Sequence, residues 1–319
     1  MILAGIDEAG YGPLLGPLVV GCCAVRTAGN EPVDLWQRLR RAVSRSRTAN
    51  GRRLHVNDSK QVYTPAAGLR ELERSVLCFV HAATRGWPRG LGELLRKVSL
   101  TGVDEIEACP WYRPRDDERF PLALDPDALK PNANALRLAL QSADAEVIRY
   151  EASVLPETRY NQLVTRLRNK GSALFSTVAV HLDRLLRAPG DEPLCVFCDR
   201  QGGRERYGGL LRTMFEDFSL TIESEGESLS VYTLHGPREA RLIFRERAES
   251  ASMPVALASM LCKYLREALM ARLNAFFRDH LPSLQPTAGY WTDGLRFLKE
   301  TAEVRARLGI ADTVLARSR

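Results

Sequence analysis

Gly5-Ile6-Asp7-Glu8-Ala9-Gly10-Tyr11-Gly12-Pro13-Leu14 joins two short apolar runs, residues 2–6 and 17–25, rich in β-branched and small side chains. Gly10-Tyr11-Gly12-Pro13 is a strong turn signal, so the runs predict a hairpin that opens a sheet. Asp7 and Glu8 sit where the first strand enters that turn. Neighbouring side chains of a strand point to opposite faces, yet a pair at its end converges if the backbone turns, as Gly10 and Gly12 permit. Carboxylates ending an apolar strand are costly to bury unless paired or metal-bound. Taken alone, an Asp-Glu pair is more often a solvated turn than a ligand set.

The arrangement recurs downstream. Leu194-Cys195-Val196-Phe197-Cys198 is a continuous apolar run closed by Asp199, the pattern of a buried central strand. Glu249, in Arg247-Ala248-Glu249-Ser250, stands just before a long helical pattern from 253 to about 277, in which Ala256, Ala258, Ser259 and Cys262 allow close packing. Pro282 and Pro286 end it, and Gly289-Tyr290-Trp291-Thr292 forms a loop before a last helix.

Elsewhere the chain predicts a helix near 65–75, strands near 75–83 and 146–153, helices near 156–168, 172–187 and 209–217, and strand segments near 218–234. Residues 86–145, punctuated by Trp87-Pro88, Pro110, Pro114, Pro121, Pro126 and Pro131, read as an insertion with little regular structure before about 132. The expected architecture is α/β, with a mixed sheet flanked by helices. The expected division is a domain of 1–85 and 146–281, an insertion of 86–145, and a C-terminal helical, substrate-contacting region of 282–319.

Across 319 residues, 45% are apolar and 26% charged, enough for a sizeable core. A net charge of +6 favours a polyanionic partner without requiring one. Seven cysteines at no disulfide-like spacing suggest reduced thiols and a cytoplasmic setting. The first residues carry no basic stretch, and Asp7 and Glu8 cut short the apolar run, so no signal peptide is expected. No run approaches the roughly 20 apolar residues of a spanning helix.

Clustered hard oxygen ligands of this kind suit Mg²⁺ or Mn²⁺ rather than zinc. Two such ions can activate a water and steady the leaving oxygen of a phosphodiester.

The ordered motifs resemble those of the ribonuclease HII family, in the ribonuclease H superfamily. The opening stretch, with Gly16-Pro17-Leu18-Val19-Val20, is similar to the family's Asp-Glu-Ala-Gly-Arg-Gly-Pro signature and the strand after it. Asn57-Asp58-Ser59-Lys60 resembles its Asn-Asp-Ser-Lys segment, Asp199 the aspartate closing its central strand, and the helix from Ala256 through Lys263 and Arg266 its Ser-Ala-Ala-Ser-Ile-Leu-Ala-Lys helix. Glu249 falls on the fourth acidic position, and Gly289-Tyr290-Trp291-Thr292 on the Gly-Tyr-Gly-Thr loop.

The resemblance implies a ribonuclease H-like sheet and two-metal hydrolysis of RNA in RNA/DNA hybrids, or of DNA duplexes containing ribonucleotides, giving a 3′-hydroxyl and a 5′-phosphate. Asp7, Glu8, Asp199 and Glu249 would be the catalytic acids and the ligands of Mg²⁺ or Mn²⁺. Gly10, Tyr11 and Gly12 would read the 2′-hydroxyl, which distinguishes RNA from DNA. Lys60 and Lys263 would sit near phosphates, and Tyr290 would stack on a sugar. A monomer is expected. Two departures bear on specificity: Tyr11 stands where the family has arginine, losing a fork-shaped phosphate donor, and Glu249 stands where it has aspartate.

Smaller signals stay open. Arginines 38, 40, 41, 45, 47, 52 and 53 form a basic helix end and loop, either solvated or phosphate-binding. Cys195-x-x-Cys198 reads as core packing, Trp87, Trp111 and Tyr112 as a mini-core of the insertion, and the five histidines take no role. The competing readings are a nucleic-acid-binding module that has lost efficient cleavage, and a related nuclease acting on DNA junctions or RNA.

Overall fold

The computed structural model describes residues 1–49 and 51–318; Asn50, within the arginine-rich stretch, and Arg319 lie outside the described residues. Among the described residues seven strands form one mixed sheet. β1 (Ile2–Ala9) and β2 (Leu18–Thr27) are the expected antiparallel hairpin, with Asp7 opposite Gly21 and Glu8 opposite Val20. A two-residue parallel ladder, β3 (Val43–Ser44) and β4 (Leu54–His55), stands apart. β5 (Ala145–Leu155), β6 (Leu194–Asp199), β7 (Ser219–Ser224), β8 (Leu229–His235) and β9 (Ala240–Arg245) complete the sheet, in the order β5-β2-β1-β6-β9-β8-β7. β1, β6 and β9 run parallel at its centre, so the ends of β1 and β6 that carry the acids lie side by side.

The alternation of β1 divides two apolar layers. Leu3, with Val19, Cys23 and Val25 of β2, packs under helices α1 (Arg70–Thr84) and α4 (Met253–His280). Ile2, Ala4 and Ile6 face the other way, toward α2 (Glu157–Leu167) and α3 (Lys170–Leu186). α4 lies almost on the sheet backbone. A Cβ on Gly5 would fall 2.1 Å from the Val255 nitrogen, and one on Gly21 2.6 Å from Cys262 Sγ. The Cys262 thiol donates to the Asp7 carbonyl at 3.4 Å, so the small residues of α4 set the seat of the acidic strand end.

The structure departs from the sequence reading at three places along the chain. The strand expected near 75–83 is the second half of α1: a short continuous apolar run does not separate strand from helix. β9, missed in the sequence, is a buried parallel strand whose arginines at 241 and 245 mask its apolar run. Residues 86–145 hold helices Leu91–Val98, Val103–Glu107 and Lys130–Ser142, and Trp111 and Tyr112 join the core under α4 instead of forming a mini-core. α5 (Trp291–Glu300) follows the Gly289-Tyr290 loop, and no helix of the described residues is long and apolar enough to cross a membrane.

Candidate nucleic-acid interface

One cleft of about 270 Å³ is lined by Asp7, Glu8, Gly10, Tyr11, Gly12, Lys60, Asp199, Glu249, Lys263 and Tyr290. β1 delivers Asp7 and Glu8, and Gly10, at φ +88°, turns the chain so tightly that a Cβ there would lie 2.6 Å from the Pro17 carbonyl. β6 delivers Asp199, whose Oδ1 accepts the Ala248 amide at 3.1 Å. That bond ties the end of β6 to the short helix Ala248–Ala251 that carries Glu249. Asp58 caps the helix Ser59–Val62 by accepting the Lys60 amide at 3.0 Å, which fixes the base of the Lys60 side chain.

Asp58, Ser259 and Arg266, to which the sequence pattern assigns no site role, also line the cleft. Ser259, Lys263 and Arg266 lie at i, i+4 and i+7 of α4, one helical face, and that spacing is the signal that could have found them. Ser259 donates to Ser59 Oγ at 3.0 Å and joins the lysine segment to α4. Lys263 pairs with Glu267 at 2.5 Å and lies 4.6 Å from the centre of the Tyr63 ring. Arg266 is a buried staple: it donates to the carbonyls of Pro17 (2.9 Å), Leu15 (3.0 Å) and Ala288 (3.1 Å), joining the first loop to the one bearing Tyr290. Tyr290 is 60% exposed, so its ring does not fill the core.

Outside the cleft, Arg45 stacks 3.6 Å over the Trp36 ring and donates to the Ser250 carbonyl at 2.9 Å, beside Glu249. Arg38, Arg40 and Arg41 border a separate groove of about 500 Å³. The cysteines are free and buried, as core packing requires.

The cleft carries strained negative charge. Burial, then repulsion from Glu8 and Asp199, pushes the Asp7 carboxyl well up. Burial and Asp199 push Glu8 up to about 8, against the pull of Lys60. Burial also raises Asp199, against hydrogen bonds from the Ala248 and Arg200 amides, and it raises Glu249. A carboxyl raised on folding costs stability wherever it stays ionised, and a bound cation offsets that cost. The donor chemistry, carboxylate oxygens beside serine hydroxyls, fits a hard divalent ion. Among the described residues, however, no three His, Cys, Asp or Glu side chains stand close enough to hold a metal ion as placed.

No protein-family model matches the chain, and no curated protein matches it. The chain is similar to a chain in the structure of the PCNA:RNase HII complex from Archaeoglobus fulgidus, at 16% identity and TM-score 0.45, covering 100% of this chain and 95% of that one. It is similar to the ribonuclease H2 of Pyrococcus horikoshii OT3, at 16% identity and TM-score 0.48, covering 99% and 92%. It is also similar to Bst-RNase HIII in complex with Mn²⁺, at 15% identity and TM-score 0.40, covering 99% of this chain and 66% of that one. The architecture itself, among the described residues, is the α/β one expected from the sequence, a mixed seven-stranded sheet flanked by helices.

Proposed function

We propose that the chain is a divalent-metal-dependent endonuclease that hydrolyses the RNA strand of RNA/DNA hybrids, or of DNA duplexes containing ribonucleotides, leaving a 3′-hydroxyl and a 5′-phosphate. One observation carries the reading: Asp7, Glu8, Asp199 and Glu249, from three separate segments, line a single cleft together with Asp58, Lys60, Lys263 and Tyr290.

Asp7, Glu8, Asp199 and Glu249 would hold Mg²⁺ or Mn²⁺, which supplies Lewis-acid activation of water and offsets phosphate charge when bound. Lys60 and Lys263 attract backbone phosphates, and the exposed Tyr290 ring offers a face to a sugar or base. Gly10, Tyr11 and Gly12 bring backbone groups close to the ribose, and Gly12 has open space where a Cβ would stand. The protein works in this reading as a cytoplasmic monomer.

Tyr11 and Glu249, which stand where the resembled family has arginine and aspartate, favour one second reading, a binding protein of the same fold without efficient cleavage. A single assay separates the two. Labelled RNA/DNA hybrid, a DNA duplex with one ribonucleotide, an RNA duplex and a DNA junction are each incubated with Mg²⁺ or Mn²⁺. Cuts in the RNA strand with 3′-hydroxyl ends support the nuclease. Tight hybrid binding with no cut in either metal supports the second reading.

A further inference from the structure

The loop of Gly10, Tyr11 and Gly12 is held from behind by a segment near the other end of the chain. Arg317 is 4% exposed, and its guanidinium donates to the carbonyls of Gly10 and Tyr11, the latter at 2.8 Å. Its own amide donates to the Leu14 carbonyl at 2.8 Å, so one residue grips the loop at three points. The guanidinium lies 4.4 Å from the centre of the Tyr160 ring. Asn161, next on the same helix, accepts the Ser318 amide at 2.6 Å and donates to the carbonyls of Thr313 and Ala316, each at 2.8 Å. α2 thus supplies both a ring for the arginine and an anchor for the segment around it.

Burying a guanidinium is expensive, and this one is not fully satisfied: its Nε has no partner among the described residues. Apolar packing would stabilise the same spot at lower cost. What the arginine adds is control of two peptide planes. In a trans peptide the N–H points opposite to the C=O, so holding the Gly10 carbonyl aims the Tyr11 amide, and holding the Tyr11 carbonyl aims the Gly12 amide. Gly10, Tyr11 and Gly12 line the cleft and Arg317 does not, so the arginine grips the loop from the side away from the cleft.

We propose that Arg317 is a positioning residue that sets the Tyr11 and Gly12 amides to donate to a ribose hydroxyl, an inference that rests on the nuclease reading above. The clamp also bears on the place of Tyr11. The carbonyl groups that fix the loop belong to the backbone, so the loop keeps its shape with a tyrosine side chain at this position.

The test uses the full chain with Arg317→Met, which keeps the aliphatic bulk and loses the donors, and Arg317→Lys, which can reach one carbonyl at a time. Asn161→Ala releases the segment without touching the arginine. Amide hydrogen exchange of residues 8–15 reports the loop directly. Affinities for an RNA/DNA hybrid and for a DNA duplex of the same sequence, measured in Ca²⁺, report reading of the hydroxyl. Arg317→Met should speed loop exchange and weaken hybrid binding about tenfold, the scale of one lost hydrogen bond, with DNA-duplex affinity unchanged. Arg317→Lys should fall between it and the wild type, and Asn161→Ala should move both readouts the same way. If Arg317→Met does not fold, Asn161→Ala decides on the same measurements. Unchanged loop exchange, or equal loss of affinity for both duplexes, would overturn the clamp. A wild-type protein that never prefers hybrid to DNA would overturn the nuclease reading and the hydroxyl contact together, whatever the loop exchange shows.

Discussion

Asp199 accepts the amide of Ala248 at 3.1 Å, and so fastens the third acid of the cleft to the residue just before the fourth. Asn in place of Asp199 keeps an acceptor oxygen for that amide and loses the charge. Asp199→Asn should therefore melt within a few degrees of the wild type while hybrid cleavage falls by several orders of magnitude. Asp199→Ala should also loosen the Glu249 helix, at a cost of roughly 1–3 kcal/mol for the amide left unpaired. Thermal melts and cleavage rates on the two variants separate the effects; equal cleavage by Asp199→Asn and wild type would exclude the acid from the chemistry.

Gly5 and Gly12 lie seven positions apart and should respond oppositely to a methyl group. A Cβ on Gly5 meets the backbone of Val255 at 2.1 Å, which cannot give way without moving α4. Gly5→Ala should cost about 3 kcal/mol or more in denaturant unfolding. Gly12 has nothing within 4 Å of its Cβ position, so Gly12→Ala should leave stability unchanged and impair hybrid cleavage by crowding the ribose. A stable Gly5→Ala protein would contradict the close seat of α4 on β1.

Much of this arrangement is legible in the amino-acid order alone. The hairpin, the closed run ending at Asp199 and the long helix carry strong local patterns, and each places its site residues at an element end. What stays hidden depends on tertiary contact. Arg266 looks like any helical arginine in the sequence, and only the fold shows it stapling the Leu15, Pro17 and Ala288 carbonyls. Arg317 is separated from Gly10 by 307 positions, beyond any local periodicity. β9 and the second half of α1 mislead because the first alternates weakly between flanking arginines and the second is a short unbroken apolar run.

Tyr290 is 60% exposed, so truncating it removes little packing. Tyr290→Ala should shift the melting temperature by no more than about 2 °C, in line with a surface change of under about 0.5 kcal/mol. Hybrid affinity should fall by roughly one to two orders of magnitude, the worth of one stacked ring. A normal affinity would remove the residue from the interface.

Arg38, Arg40, Arg41 and Arg47 are exposed, and Arg45, exposed as well, is held by Trp36 and Ser250. If the first four meet nucleic acid, replacing all four by Gln should flatten the log–log salt dependence of duplex binding by about 0.9 for each phosphate no longer neutralised. An unchanged slope would make this stretch a solvated loop.

The most direct test is Asp7→Asn, assayed on labelled RNA/DNA hybrid in Mg²⁺ and Mn²⁺ beside a thermal melt in metal-free buffer. Burial, and then the charges of Glu8 and Asp199, raise the Asp7 carboxyl well above its usual range, so an ionised Asp7 costs stability without a cation, and Asn relieves that cost. The account predicts an equal or higher melting temperature and loss of cleavage in both metals. Near-normal turnover by a folded Asp7→Asn protein would contradict it.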